Sequence, residues 1–233
     1  MEQIWLAGLL IVATVASSQS PAQVVETPTP DLDALLQSVE RMQQQDAAQS
    51  QPYDITWKYK VFRGDSKQPM SEVTAQISFA PPDIRTYKIT QTQGNMRGEK
   101  IVRTILDQQI EAAKKGNSSR ISRRNYNFVF LRREDFGVPE YVLLIIPNRK
   151  AKNLLLGQIW VDANTFRIRR IEGVPIKSPS IWIKDIHVTV QCALLNGTWL
   201  PVSFDAIATV RFMGQYTLTG LTVGAPGLSA AAR

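Results

Sequence analysis

The chain is poor in the residues that perform chemistry. It holds one Cys and one His among 233 residues. A single Cys forms no internal disulfide, and Cys192 closes the apolar strand pattern Val188-Thr189-Val190-Gln191-Cys192, where a small core residue is expected rather than a nucleophile. The single His, His187, lies in Ile183-Lys184-Asp185-Ile186-His187-Val188 and alternates with apolar neighbours, as an ordinary strand residue does. Metal centres need several His, Cys, Asp or Glu ligands at fixed spacing, and no such cluster occurs, so no metal is expected. Nucleophile-elbow, phosphate-loop and dinucleotide-binding glycine patterns are absent too. These absences point away from an enzyme and from any cofactor. A small hydrolase built on His187 survives only as an outside reading.

Other absences concern the ends. Ile4 to Ala16 is an apolar run followed by Ser17 and Ser18, the form of a signal-peptide core with a small-residue cleavage site. At about 13 residues it is short for a bilayer span. No Lys or Arg precedes it, so an uncleaved anchor and a buried core segment stay open beside the export signal assigned to residues 1–18. No Cys follows, which removes a lipid anchor on a mature Cys, and no later apolar run is long enough to span. Residues 19–30 are rich in Ser, Pro and Thr and read as a linker, 31–223 as one domain, and 224–233 as a flexible tail.

Within the domain, Leu32, Leu35, Leu36, Val39 and Met42 recur at helical spacing after Thr29-Pro30-Asp31, which supplies a cap, a first-turn Pro and an acid at the helix start. Period-two strands follow at Tyr53 to Val61, Val73 to Phe79 and Arg85 to Thr92. After Gly94 and Gly98, Glu99 to Lys115 returns to helical period on Ile101, Val102, Ile105, Leu106 and Ile110. From Asn125 to Val223 no helix signal appears. Seven strands are expected, near Asn125–Glu134, Glu140–Pro147, Asn153–Asp162, Phe166–Gly173, Ile181–Leu194, Thr198–Asp205 and Ile207–Val223, with Asn196-Gly197 as a tight hairpin. The first two are apolar on both faces, so cover on both sides is expected there. The fold class is mainly β (α+β): a strongly curved antiparallel sheet or incomplete β-barrel of about ten strands, with two helices covering the concave face.

Lys and Arg outnumber Asp and Glu by 27 to 20. Arg120, Arg123, Arg124, Arg132, Arg133, Arg149, Lys150, Lys152, Arg167, Arg169 and Arg170 crowd the middle of the sheet. An exported chain meets little nucleic acid, so no nucleic-acid partner is expected. The charges read as a solvated strand face, with an anionic membrane surface or an acidic envelope protein as the sharper partners. The aromatics carry the remaining signal. Trp57, Tyr59, Phe79, Tyr87, Phe128, Phe130, Trp160, Trp182, Trp199 and Phe212 lie on the expected strands, as core packing or as the lining of an apolar pocket between sheet and helices. The helix Glu99–Lys115, through Ile101, Ile105 and Leu106, is the candidate lid.

Four segments carry a family likeness: Gly157-Gln158-Ile159-Trp160-Val161-Asp162, Phe166-Arg167-Ile168-Arg169-Arg170-Ile171-Glu172-Gly173, Ile181-Trp182-Ile183 and Gly197-Thr198-Trp199-Leu200-Pro201. Their succession resembles the outer-membrane lipoprotein-sorting proteins, the LolA and LolB carriers and their RseB-like relatives, over roughly Leu32 to Val223. The resemblance implies an unclosed barrel with helices as a lid over a hydrophobic cavity for acyl chains of lipoproteins or other lipids, in a soluble protein of the periplasm or cell envelope. The family's early-strand Arg has two candidates here, Arg63 and Arg85, and neither is assigned. The basic segment Lys114 to Arg124 has no match. An envelope sensor that binds a protein partner through its outer face is the rival function on the same fold.

Overall fold

The computed structural model describes residues 30–81, 84–114, 120–151, 153–178 and 180–223. The export signal, the linker up to residue 29, the tail from residue 224 and residues 115–119 of the basic segment lie outside the described residues. No described helix is long and apolar enough to cross a membrane.

Helix α1 (Leu32–Ala48) is capped by Asp31, whose carboxylate accepts from the Asp33 N–H at 3.0 Å. It buries Leu35, Leu36 and Val39, the first part of the stripe read from sequence. Strands β1 (Tyr53–Arg63), β2 (Ser71–Ala80) and β3 (Ile84–Gly94) form a meander. In β1 the alternation is strict: Trp57, Tyr59 and Val61 turn inward, while Lys58 and Lys60 meet Glu72 on the other face at 2.7 and 3.7 Å.

Helix α2 (Met96–Lys114) begins three residues before the expected start. The Asn95 side chain caps it by accepting from the Arg97 N–H at 2.8 Å. Gly98 lies inside this helix. It sits in the first turn because a Cβ there would stand 2.2 Å from the Ser71 Cβ, so the missing side chain lets the helix press on β2.

Seven strands complete the fold: β4 (Tyr126–Asp135), β5 (Pro139–Pro147), β6 (Leu155–Asp162), β7 (Ile168–Pro175), β8 (Ile183–Leu195), β9 (Thr198–Val210) and β10 (Gly214–Thr222). The last returns to pair with β1, which gives one antiparallel ten-stranded sheet in the order β3-β2-β1-β10-β9-β8-β7-β6-β5-β4. The edges β3 and β4 are successive strands in the chain, yet they do not pair with each other, so the sheet stays open. Asn196-Gly197 forms its tight turn with φ of +50° and +80°. The expected break at Asp205 is absent. Ala206 pairs with Val188 on one side and Leu218 on the other, the strand runs on to Val210, and the turn falls at Arg211-Phe212-Met213.

Two cores lie on the inner face. One joins α2, through Val102 and Leu106, to Trp57, Tyr59, Val61, Val73, Ala206, Tyr216 and Leu218. The other joins α1 to Tyr126, Leu143, Ile145, Leu154, Ile159 and Val161. The expected cover on both faces of β4 and β5 is found only in part. Val142 of β5 is fully buried on the outer face, but Val129, Leu131 and Ile146 are 37–44% exposed.

Candidate ligand-binding site

From the second core toward the first the register aligns Phe130, Leu143, Ile159, Ile171, Val190 and Phe204 on neighbouring strands, a continuous apolar row. Helix α1 covers part of this surface. Its apolar stripe is tight at Leu35, Leu36 and Val39, and then turns to Met42, Gln43 and Asp46. The sheet beneath remains apolar while the helix above does not, and the two surfaces part there. The result is a cavity of about 320 Å³ whose floor includes Ile145, Ile168, Ile171, Cys192 and Trp199. That size is at the small end of ligand pockets, which run roughly 300–1,000 Å³.

The polar groups around the cavity satisfy one another and leave its interior apolar. Arg167, between β6 and β7, donates from Nε and Nη2 to the two carboxylate oxygens of Asp46 at 3.1 and 2.7 Å. Its guanidinium lies 5.4 Å from the centre of the Trp199 ring. The Trp199 indole donates to the Ile168 carbonyl at 3.1 Å. Gln43 Nε2 donates to the Ile121 carbonyl at 3.0 Å, and Arg120 Nη2 to the Gln43 carbonyl at 3.3 Å. The Tyr126 hydroxyl accepts from the Leu155 N–H at 3.2 Å, and burial raises its pKa. Burial also pushes the Cys192 thiol up to about 12, so it stays a neutral, unreactive lining group at physiological pH. His187 is remote from all of this. It lies on the outer face with Nε2 3.0 Å from Glu172 Oε1.

The ten aromatics singled out from sequence fall in six places. Trp199 lines the cavity, and Phe128 and Phe130 pack against the second core. Trp57 and Tyr59 are buried in the other core with ring centres 5.7 Å apart, and Gly220 leaves room for both rings. Tyr87 borders that core and donates from its hydroxyl to Asp107 at 2.8 Å. Phe79 stacks on Tyr53 at 4.9 Å with the Arg85 guanidinium at 5.9 Å. Trp160 faces outward, since Ile159 and Val161 take the inner face; its indole donates to Glu134 at 3.0 Å and Arg170 lies over the ring at 4.5 Å. Trp182 and Phe212 stand in solvent. Ile101, Ile105 and Leu106 of α2 pack on β1–β3, and the helix over the cavity is α1. Sequence reasoning did not single out Met42, Asp46, Arg167, Ile168 or Ile171 as lining. The available signal was the loss of the α1 stripe after Met42 beside a sheet that stays apolar.

No family model matches the sequence, and no curated protein matches it. Solved structures do. The chain is similar to a LolA-superfamily protein from Nitrosomonas europaea, with 10% identity and a TM-score of 0.36 over 81% of this chain and 90% of that one. It is also similar to a putative outer-membrane lipoprotein-sorting protein domain from Vibrio parahaemolyticus, with 14% identity and a TM-score of 0.39 over 81% and 91%. A further match is MucB in complex with MucA(peri), with 8% identity and a TM-score of 0.26 over 80% and 93%. The first two bear names from the lipoprotein-sorting group.

Proposed function

We propose that the chain is an exported, non-enzymatic binding protein of the cell envelope that shelters an acyl chain, of a lipoprotein or another lipid, in the cavity under α1. The observation that carries this reading is the cavity itself: an apolar floor on β5–β9, roofed by a helix whose apolar stripe stops short of covering it. An acyl chain entering there gains about 25 cal/mol per Å² of apolar surface removed from water and needs no dedicated polar contact. The neutral Cys192 and the outward His187 leave the cavity without a nucleophile–base pair among the described residues.

Organic extraction of the purified protein, followed by mass spectrometry, tests the reading. Stoichiometric lipid that rebinds the delipidated protein is expected. Replacing Cys192 with Phe fills the cavity and is expected to abolish rebinding while the fold persists. An empty protein that ignores acyl-chain probes would overturn the proposal.

One observation favours the rival, a sensor that engages an envelope protein through its outer face. Ile146, Leu156 and Val174 are 37–42% exposed on that face, and Leu156 and Val174 line a groove with Trp160, Glu172 and His187. A salt-sensitive protein partner lost on Leu156→Glu, with no lipid in the purified sample, would select it.

A further inference from the structure

Four large apolar side chains stand together in solvent at the end of the sheet where β8 and β10 begin. Ile181 is 81% exposed, Trp182 57%, Phe212 97% and Met213 43%. The first pair closes the β7–β8 connection and the second forms the β9–β10 turn. The Arg211 N–H donates to the Trp182 carbonyl at 2.8 Å, which ties the two turns into one tip. The β1–β2 turn adjoins them, with the Gly64 N–H donating to the Gln215 carbonyl at 2.8 Å.

Phe212 is the telling residue. Its φ is +64°, a left-handed conformation that suits Gly or Asn and costs a bulky residue energy. Its ring is almost wholly exposed, so core packing does not account for an aromatic at a position whose backbone favours Gly. The surrounding charge has one dominant sign. Arg63, Lys67, Lys177, Lys184 and Arg211 are exposed on or beside these turns, against Asp65 and Asp185. None of the five cations is ion-paired among the described residues. Phe136 offers the contrast. It is 90% exposed at the opposite end of the sheet, but beside Asp135, Glu134 and Glu140.

We propose that this tip docks on an anionic lipid bilayer, with Trp182 and Phe212 entering the boundary between headgroups and acyl chains and the five cations facing the headgroup charges. Exposed apolar groups bordered by cations combine the two weak signals that together hold a protein at a membrane surface. Trp favours that boundary because one edge of its ring is polar and the rest apolar. The four side chains sit on turns, which suits a fluid surface that moulds to them better than a structured peptide. The inference does not rest on the acyl-chain reading, since docking needs no occupied cavity.

Co-sedimentation with vesicles tests it, using the chain from Gln19 onward, which holds every residue of both cores. Binding is expected to vesicles of phosphatidylglycerol and phosphatidylcholine mixed equally, weaker binding to phosphatidylcholine alone, and release by salt. Trp182→Ser with Phe212→Gly is expected to lower partitioning about tenfold or more, the scale of re-exposing one large apolar side chain. Gly at 212 suits the backbone, so this variant folds. Lys184→Glu with Arg211→Glu should abolish the preference for anionic vesicles, and Phe136→Ser should change nothing. Equal binding by wild type and the Trp182/Phe212 variant, or no binding to anionic vesicles, would overturn the proposal. A concentration-dependent dimer lost in that variant, without vesicle binding, would assign the tip to a second copy of the chain instead.

Discussion

Gly157 and Gly173 face each other across β6 and β7. A Cβ on Gly157 would lie 2.0 Å from the Glu172 carbonyl oxygen and 2.5 Å from the Gly173 Cα, so the two backbones approach as only glycines allow. Gly157→Ala must push neighbouring backbone apart. We expect it to cost about 3 kcal/mol, in the range of overpacked cores. The thermal midpoint should then fall by about 6–12 °C. Gly137 makes the comparison: its φ is +91° but its surroundings are open, and Ala there should cost about 1 kcal/mol. A midpoint for Gly157→Ala no lower than for Gly137→Ala would contradict the close approach. Neither role shows in the sequence, because the opposition of two glycines sixteen residues apart exists only once the register is known.

At the scale of the element, α1 is held over the cavity by its C-terminal half. Arg167 grips Asp46, Gln43 holds the Ile121 carbonyl, and Glu40 accepts from the Arg123 N–H at 3.0 Å. Arg167→Ala removes a two-point pair and its stacking on Trp199. With a charge-assisted hydrogen bond contributing about 1.5–3 kcal/mol, local opening of the last turns of α1 should rise about tenfold or more. Amide exchange at residues 43–48 should accelerate while α2 is unchanged, and Cys192 should become faster to alkylate. Equal acceleration in both helices would mean global destabilisation and not a loosened roof. The helices and strands were legible because their signals are local: the stripe at Leu35, Leu36 and Val39, the alternation in β1, the Asn196-Gly197 turn. The roofing helix was not. Ile101, Ile105 and Leu106 make the more regular stripe, and a regular stripe marks a helix that packs closely, whereas the cavity opens where the stripe of α1 fails. The outward turn of Trp160 was also hidden, since Trp160 is apolar enough for either face and only its place between Ile159 and Val161 decides.

At the scale of the whole molecule, the carboxylates pull stability in two directions with pH. Burial pushes Glu40 up, but hydrogen bonds from the Arg123 N–H and guanidinium outweigh it and leave the carboxyl lowered. Asp162 is likewise lowered, its burial outweighed by the Thr165 and Asn164 N–H groups. These two contribute stability that is present above the ordinary carboxylate range and is lost as pH falls through their lowered values. Glu140 and Asp205 are raised by burial, Glu140 despite Arg169, so their contribution is present at low pH and is lost as pH rises through their raised values. Glu40→Gln should therefore flatten the acid limb of a plot of thermal midpoint against pH. Glu140→Gln should instead remove a loss that sets in on the way to neutrality. The same slope change from both variants would refute the assignment.

The sheet also has an uneven seam. β7 and β8 share register over four residue pairs, from Arg170 with Gln191 to Gly173 with Val188, whereas β8 and β9 share twelve. The cavity sits across this seam, with Ile168 and Ile171 on one side and Cys192 and Trp199 on the other. A short ladder opens at lower cost than a long one, so amides of β7 and β8 should exchange faster than those of β1 and β10 in the empty protein. An acyl chain bound under α1 touches both sides of the seam and should slow exchange there, together with the C-terminal half of α1. If ligand instead protects α2 and β1–β3, the acyl chain has entered the core built on Trp57 and Tyr59, and α2 is the lid.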